Sequence, residues 1–403
     1  MKQFDFGKWI GVRLASFVVV AILCFLLDKV MQGESRSYMR FLFCLAGIYV
    51  TLAVSLNLIN GITGQFSIGH AAFYQIGGYT GAVLAAHKFS NLAATKPLLW
   101  LGISAVFGAL AAGLAGLLVG LPSLRLKGDY LAVVTLGIGE IVTIIAKNQP
   151  VLGEAYGLSA PKIQSVFCVS LLAIICIAVS RNLLKTAHGL TFLAVREDEI
   201  ASSAMGVNLT KVKVTAFVIG SAFAGAAGAL YAHTKGFVSP PDFSMDVSFL
   251  ILTMVVLGGT GSITGTSIAA VVLFVIPEKM RDLKPMMMGT PLGVAIGIIA
   301  AVILLRKIQE NFHGAPMKRL GLNLSCFGVG IIVSFIMAKI LVMIPALQTM
   351  VNGALFRMPV LAVTLVVLML LRPQGIFGHH EFSWSWVQKL LGKKPVHEAE
   401  VAA

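Results

Sequence analysis

Long apolar stretches that are almost free of charged residues recur along this 403-residue chain. A helix of about 20 such residues is needed to cross the hydrocarbon core of a bilayer. Hydrophobic residues make up 57% of the sequence and charged residues only 12%, whereas soluble domains carry about 25% charged residues. The sequence therefore predicts an all-α fold, a polytopic transmembrane helical bundle of about 10–12 spans with interrupted helices.

The apolar windows give the approximate position of each predicted span. They lie near residues 9–30, 41–59, 66–86, 98–120, 130–146, 165–180, 214–232, 288–305, 327–344 and 357–371. A further region, 247–276, is long enough for either two short spans or one re-entrant hairpin. Both alternatives leave the following segments on the same side of the membrane.

The distribution of basic residues predicts the orientation. The N-terminal segment, the loops 181–213 and 306–319 and the C-terminal tail all carry several Lys or Arg residues. Because cytoplasmic loops of membrane proteins collect basic residues, we expect both termini in the cytoplasm. The net charge of +14 is explained by these loops, so the expected partners include membrane lipid but no nucleic acid.

Stripes of small residues four positions apart predict close helix packing within the membrane. The stripes are Gly77, Gly81 and Ala85; Gly108, Ala112, Gly116 and Gly120; and Gly220, Ala224 and Gly228.

Two glycine-rich, polar stretches interrupt the apolar pattern. The first is "NGITGQFSIGHAAFYQIGGYTG" (60–81) and the second is "LGGTGSITG" (257–265). Broken helices at membrane depth are tolerated where protein buries them or where they line a cavity, so they are typical of a solute pathway. The predicted pathway residues are Asn60, Gln65, Ser67 and His70, with Thr260, Ser262 and Thr264 behind them. A simple loop at the membrane surface explains the first stretch equally well.

Ionisable residues and catalytic motifs are scarce in the apolar segments. For Glu140, a functional position and an interfacial position are equally consistent with the sequence, whereas Lys339 is expected to extend towards the membrane surface. The five cysteines show no metal-ligand spacing, and no nucleotide-binding or hydrolase motif occurs. We therefore expect no catalytic residue, no metal and no cofactor on this chain.

The basic loop 181–213 predicts one short amphipathic cytoplasmic helix. Leu193, Ile200, Ala204 and Val207 fall on one face of this helix, and Arg196, Glu199 and Ser203 fall on another. The helix carries a charge cluster, Arg196-Glu197-Asp198-Glu199. Acidic residues fit an anionic leaflet poorly, so a protein partner is favoured over the lipid surface.

Several motifs, taken together and in order, resemble those of a known family. They are "LNLINGITGQFSIGHAAFYQIGGYTGAVLA", "LRLKGDYLAVVTLGIGEI", "GLTFLAVREDEIASSAMGVNLTKVKVTAFVIGSAFAGAAGALYA", "LGGTGSITG" and "LRPQGIFG". This pattern resembles the permease subunits of branched-chain amino acid ABC importers, of the LivM-like type. The resemblance covers roughly 40–285 and returns at about 357–378.

The resemblance implies a heterodimer with a second permease subunit, two cytoplasmic ATPase subunits that bind the ATP, and a periplasmic amino-acid binding protein. It implies a location in the cell inner membrane and import of leucine, isoleucine or valine. It also implies that part of the basic loop docks on an ATPase. The implied coupling residues are Arg196, Glu197, Asp198, Glu199, Ala201 and Gly206.

The resemblance also suggests how the chain is organised. The predicted parts are an N-terminal span with an outer loop (1–40), a permease core (41–285), an extra two-span insertion (286–356), a final span with the RPQG motif (357–378) and a cytoplasmic tail (379–403). A urea or short-amide ABC permease is an alternative function. An autonomous secondary transporter or channel is an alternative of another class, although acidic ligands for a coupling ion are few.

Overall fold

The computed structural model describes residues 19–33, 36–87, 90–123 and 129–281, with short pieces at 286–287, 333–337, 339–340, 350–351 and 375. The chain divides into two compact units, and residue 271 is the last one before the second unit begins. Both helix breaks and the basic loop belong to the first unit.

Helices account for most of the described residues. In chain order they are α1 (19–30), α2 (Ser37–Asn57), α3 (His70–His87), α4 (Ser90–Thr95), α5 (Pro97–Ser123), α6 (Asp129–Asn148), α7 (Val166–Leu184), α8 (Ala187–Glu197), α9 (Glu199–Ala204), α10 (Leu209–Lys235), α11 (Met245–Gly258) and α12 (Ile263–Arg281). A π-helical turn, Leu58–Ile62, continues α2, and 3-10 turns lie at Pro150–Leu152, Glu154–Tyr156 and Pro240–Phe243.

Two short antiparallel strand pairs accompany the helices. Strand β1 (Leu158–Ser159) pairs with β2 (Phe237–Val238), with Leu158 opposite Val238. Strand β3 (Met286–Met287) pairs with β4 (Met350–Val351) in the second unit.

Six helical stretches in the described part of the chain are long and apolar enough to cross a membrane. They are Ser37–Ile62, Pro97–Leu121, Tyr130–Asn148, Val166–Leu184, Leu209–Lys235 and Pro240–Gly258. The protein is therefore a multi-pass membrane protein with a helical bundle, as the sequence predicts. The predicted spans at 288–305 and 357–371 lie outside the described residues, as does most of 327–344.

Helix α10 lies at the centre of the first unit, between α2, α3 and α5. A Cβ atom placed on Gly225 of α10 would lie 2.3 Å from the carbonyl oxygen of Gly108 in α5. One placed on Gly77 of α3 would lie 1.9 Å from the oxygen of Gly225. Only glycine permits backbones to approach this closely, so the predicted small-residue packing of these three helices is confirmed.

A buried carboxylate joins the first helix to two others. Asp28 of α1 is 4% exposed, and its Oδ1 accepts a hydrogen bond of 2.8 Å from the backbone nitrogen of Val166. Arg40 Nη2 of α2 lies 3.4 Å from the same oxygen. Val166 is the first residue of α7, so Asp28 satisfies one of the N–H groups that a helix start leaves without an intrahelical partner.

The region 247–276 forms two helices, α11 and α12, separated at 259–262. The Pro240–Phe243 turn extends the first of these helices to a 19-residue apolar stretch, Pro240–Gly258, which is long enough to cross a membrane. A side-chain hydrogen bond stabilises the start of the Pro240–Phe243 turn, in which Ser239 Oγ donates to Asp242 Oδ2 at 2.8 Å.

Candidate functional site

The first helix break covers residues 58–69, between the end of α2 and the start of α3. Its backbone leaves the α-helix through the π-helical turn Leu58–Ile62 and then runs without regular structure to residue 69. Asn60 and Ser67 tie the two ends of this segment together: Asn60 Nδ2 donates to the Ser67 carbonyl at 3.0 Å, and the Ser67 nitrogen donates back to Asn60 Oδ1 at 3.2 Å. Most of the break is buried in protein, which is the condition for broken backbone in a membrane.

The second helix break covers residues 259–262, between α11 and α12. Gly259 and Gly261 have φ angles of 109° and 93°, which only glycine adopts readily. Ser262 then starts α12, because its Oγ accepts a hydrogen bond of 3.1 Å from the backbone nitrogen of Gly265.

The two breaks touch each other through Asn57, the last residue of α2. Asn57 Oδ1 accepts a hydrogen bond of 2.9 Å from the Gly261 nitrogen, and Asn57 Nδ2 donates to the Ser262 carbonyl at 3.1 Å. A Cβ placed on Gly61 would lie 2.3 Å from the Gly261 nitrogen, so the two backbones are in direct contact. The structure therefore places together two segments that lie 200 residues apart in the sequence.

Most of the predicted pathway residues bond within the protein. Gln65 Nε2 donates to Thr63 Oγ1 at 2.9 Å and to the Lys213 carbonyl of α10 at 3.3 Å. His70 Nε2 shares a hydrogen bond of 2.8 Å with Ser55 Oγ of α2. These contacts connect the first break to α2 and α10.

Other polar atoms of the predicted set remain available. Gln65 Oε1, Ser67 Oγ and His70 Nδ1 are buried without a hydrogen-bond partner among the described residues. Thr260 of the second break is exposed, and Thr264, in the first turn of α12, is half-buried. The structure brings Asn60 and Ser67 together, and it places Ser262 beside the first break, but it does not gather all seven residues around one cavity.

Arg196, at the end of α8, reaches both breaks. Its Nη1 donates to the Gly61 carbonyl at 3.2 Å, while its Nη2 contacts Glu197 Oε1 at 2.6 Å. A Cβ placed on Gly64 would lie 3.1 Å from Arg196 Cγ, and one placed on Gly261 would lie 2.8 Å from Arg196 Nη1. The side chain of Arg196 is therefore packed against the backbone of both breaks.

The basic loop contains two helices, α8 and α9, so the prediction of a single amphipathic helix is wrong. Asp198 separates them with an extended backbone (φ −155°, ψ 114°). Its carboxylate accepts hydrogen bonds from the nitrogens of Ile200 and Ala201 at 2.8 and 3.0 Å and so caps α9. An Asp that offers this cap favours a new helix start over continuation of the old one.

Helix α9 is bonded to the bundle on one side and exposed on the other. Glu199 Oε1 forms an ion pair with Lys213 Nζ, and the carbonyl of the same lysine receives the hydrogen bond from Gln65. Ile200 is 76% exposed and Met205 is 85% exposed. We refer to α8, α9 and the turn that ends at Gly206 as the coupling segment, after the role that the sequence resemblance predicts for it.

Two residues of this arrangement fall outside the predicted site. Asn57 lies beside the first break in the sequence, but nothing in its local pattern indicates a bond to residues 261 and 262. Lys213 lies near the start of α10 and is buried. The sequence predicts a solvent-exposed position instead, because a basic residue follows a polar loop there.

The comparisons with known proteins agree with this fold. The pattern of the family described as the branched-chain amino acid transport system permease component matches residues 38–305. The chain belongs to this permease family. The match includes both helix breaks and the whole coupling segment.

Individual members of the permease family share moderate identity with the chain. It is 36% identical over 271 residues to the high-affinity branched-chain amino acid transport system permease protein LivM of Salmonella typhimurium, which covers 58% of this chain and 62% of that protein. It is 29% identical to a probable LivM of Methanocaldococcus jannaschii, over 62% of this chain and 82% of the relative. It is 26% identical to LivH of Salmonella typhimurium, over 57% and 80%.

The aligned part spans less than two thirds of the Salmonella LivM sequence. No solved structure matches the chain significantly.

Proposed function

We propose that the chain is a pore-forming permease subunit of an ATP-driven importer for branched-chain amino acids, that is, leucine, isoleucine and valine. Membership of the permease family and the names of the LivM and LivH relatives support this proposal. In this proposal the chain pairs with a second, different permease subunit, receives its substrate from a periplasmic binding protein and lies in the cell inner membrane with both termini in the cytoplasm.

The observation that carries the proposal is the link between the coupling segment and both helix breaks. Arg196 bonds to Gly61 and packs against Gly261, and Glu199 pairs with Lys213. If a cytoplasmic partner displaces the coupling segment, these contacts would therefore transmit the displacement to the backbone of both breaks. Two cytoplasmic ATPases, which would bind the ATP, supply such a displacement.

The exposed side of α9 suits a protein partner. Ile200 and Met205 are large apolar residues with 76% and 85% exposure. Exposed apolar side chains next to charged ones are typical of a protein interaction surface. Glu197, Asp198, Ala201 and Gly206 frame this surface, so we include them in the proposed contact with an ATPase.

The predicted pathway residues take two roles in this proposal. Asn60, Gln65, Ser67, His70 and Ser262 hold the backbone of the breaks in place through the hydrogen bonds described above. Thr260, which is exposed in the second break, and Thr264, which is half-buried in the first turn of α12, would contact the solute. The two breaks would then act as a gate that opens when the coupling segment moves.

The test is uptake in a strain without its own branched-chain amino acid importers. The chain would be expressed with the second permease, the two ATPases and the binding protein, and uptake of radiolabelled leucine would be measured. We expect accumulation against a gradient that requires ATP. As controls, one ATPase is omitted in a parallel strain, and urea is tested as an alternative solute. Accumulation by this chain alone in liposomes would contradict the proposal.

A further inference from the structure

Glu140 is an ionisable residue near the middle of a predicted span. It lies about 12 Å from the nearer end of α6 (Asp129–Asn148) at 1.5 Å per residue. It is half-buried, and among the described residues it has no hydrogen-bond or ion-pair partner. A carboxylate in this position is costly, so such residues usually serve a solute or a proton.

Glu140 lines a cavity between three helices. The start of α3 forms one wall with Ala72, α6 forms the second with Glu140, and α11 forms the third with Ser248. Leu136, Phe243 and Met245 give the cavity an apolar side. The cavity has room for about one water molecule and is partly open. A space of this size admits an ammonium group but not a whole amino acid.

A second polar side chain with an unpartnered atom lies one helical turn beyond the residues that line the cavity. Gln75 of α3 is 1% exposed, and its Nε2 has no hydrogen-bond partner among the described residues. Its Oε1 accepts a hydrogen bond of 3.0 Å from Thr143 Oγ1. Gln75 lies one helical turn after Ala72, and Thr143 lies one turn after Glu140, so both extend the polar strip along the interface between α3 and α6.

We propose that Glu140 binds the ammonium group of a zwitterionic, aliphatic amino acid during its passage through the chain. The ammonium group would replace water in the cavity, and the rest of the solute would stay outside it. This inference rests on the proposed import function and names a site for the solute that is separate from the two helix breaks.

The test uses the complete importer in proteoliposomes with the loaded binding protein. In the Glu140→Gln variant we expect leucine uptake to fall about tenfold or more, the effect of losing one charge-assisted hydrogen bond. ATP hydrolysis should continue, and Glu140→Asp should keep more of the uptake than Glu140→Gln. The matched control is Glu154→Gln, at an exposed glutamate beyond the end of α6, which should transport normally.

A thermal-unfolding assay of the purified complex separates solute binding from a merely structural role. L-leucine should raise the unfolding temperature, whereas 4-methylpentanoate, which lacks the ammonium group, should not. The Glu140→Gln complex should respond to neither compound. The complex is purified without the binding protein, and if the Glu140→Gln variant does not assemble, the Glu140→Asp variant is compared with the unchanged complex and should respond more weakly to L-leucine.

Normal uptake by the Glu140→Gln variant, or equal stabilisation of the unchanged complex by both compounds, would overturn the site. If the unchanged complex imports no branched-chain amino acid at all, the proposed function itself fails. The two failures are therefore distinguishable.

Discussion

Replacing Arg196 by alanine should disconnect the coupling segment from both helix breaks. The variant loses the hydrogen bond to the Gly61 carbonyl and the packing against Gly64 and Gly261. A hydrogen bond to a charged group contributes about 1.5–3 kcal/mol. Because the Arg196 side chain is 23% exposed, we expect the lower end of that range, about 1.5 kcal/mol, or about tenfold in an equilibrium constant.

Two measurements test the Arg196 prediction. In proteoliposomes, the number of leucine molecules imported per ATP hydrolysed should fall about tenfold. In the permease pair without ATPases, hydrogen exchange should become faster in 58–69 and 259–262. The second measurement matters because it is independent of any contact between Arg196 and an ATPase.

Two further variants serve as controls for Arg196. Arg196→Lys keeps the charge but cannot donate in two directions from a planar group, so its effect should be intermediate. Glu197→Gln removes the carboxylate that pairs with Arg196, and this carboxylate is 71% exposed. An exposed ion pair contributes at most about 1 kcal/mol, so in the permease pair without ATPases this variant should leave hydrogen exchange in 58–69 and 259–262 almost unchanged. Unchanged coupling and unchanged exchange in the alanine variant would refute the reasoning.

Three other substitutions follow from close contacts and backbone angles. Gly225→Val should prevent stable assembly, because even a Cβ would lie 2.3 Å from atoms of α5. Gly137→Ala in α6 should be tolerated, because there is open space around Gly137. The expression level and the unfolding temperature of each variant check both expectations. Asn57→Ala removes two hydrogen bonds, so it should cost about 1–3 kcal/mol of unfolding free energy and speed hydrogen exchange at 259–262. Gly206→Ala should lower the free energy of unfolding by about 1–2 kcal/mol, because the φ angle of Gly206 is 84°. Gly206→Asn should lower it less, and the amount of leucine imported per ATP should differ between the two variants in the same order.

The sequence predicts the features that depend on local composition. Helix positions follow from apolar stretches, and the packing of α3, α5 and α10 follows from glycine and alanine at a spacing of four. Both breaks are also visible as glycine-rich interruptions. These properties are local, because membrane length, backbone freedom and helix periodicity act within one segment.

The features that the sequence does not predict depend on contacts between distant segments. The bond from Arg196 to Gly61 joins residues 135 positions apart, and the bond from Gly261 to Asn57 joins residues 204 positions apart. No periodicity connects such residues. Asp198 is a different case, because its capping role is local. Its neighbours Arg196 and Glu199 are three positions apart, which is also the spacing of one face of a continuous helix, so the sequence does not reveal the helix end at Asp198.

The bond between Asp28 and Val166 has a consequence for anyone who shortens this protein. Helix α1 has many lipid-compatible side chains exposed, and it looks dispensable as a peripheral addition to the permease core. Deleting it, however, would leave an amide of α7 and the guanidinium of Arg40 without their carboxylate partner in a water-poor environment. A truncated chain that starts at α2 would therefore need another carboxylate at this place. The first helix thus supplies the side-chain cap for the N-terminus of α7.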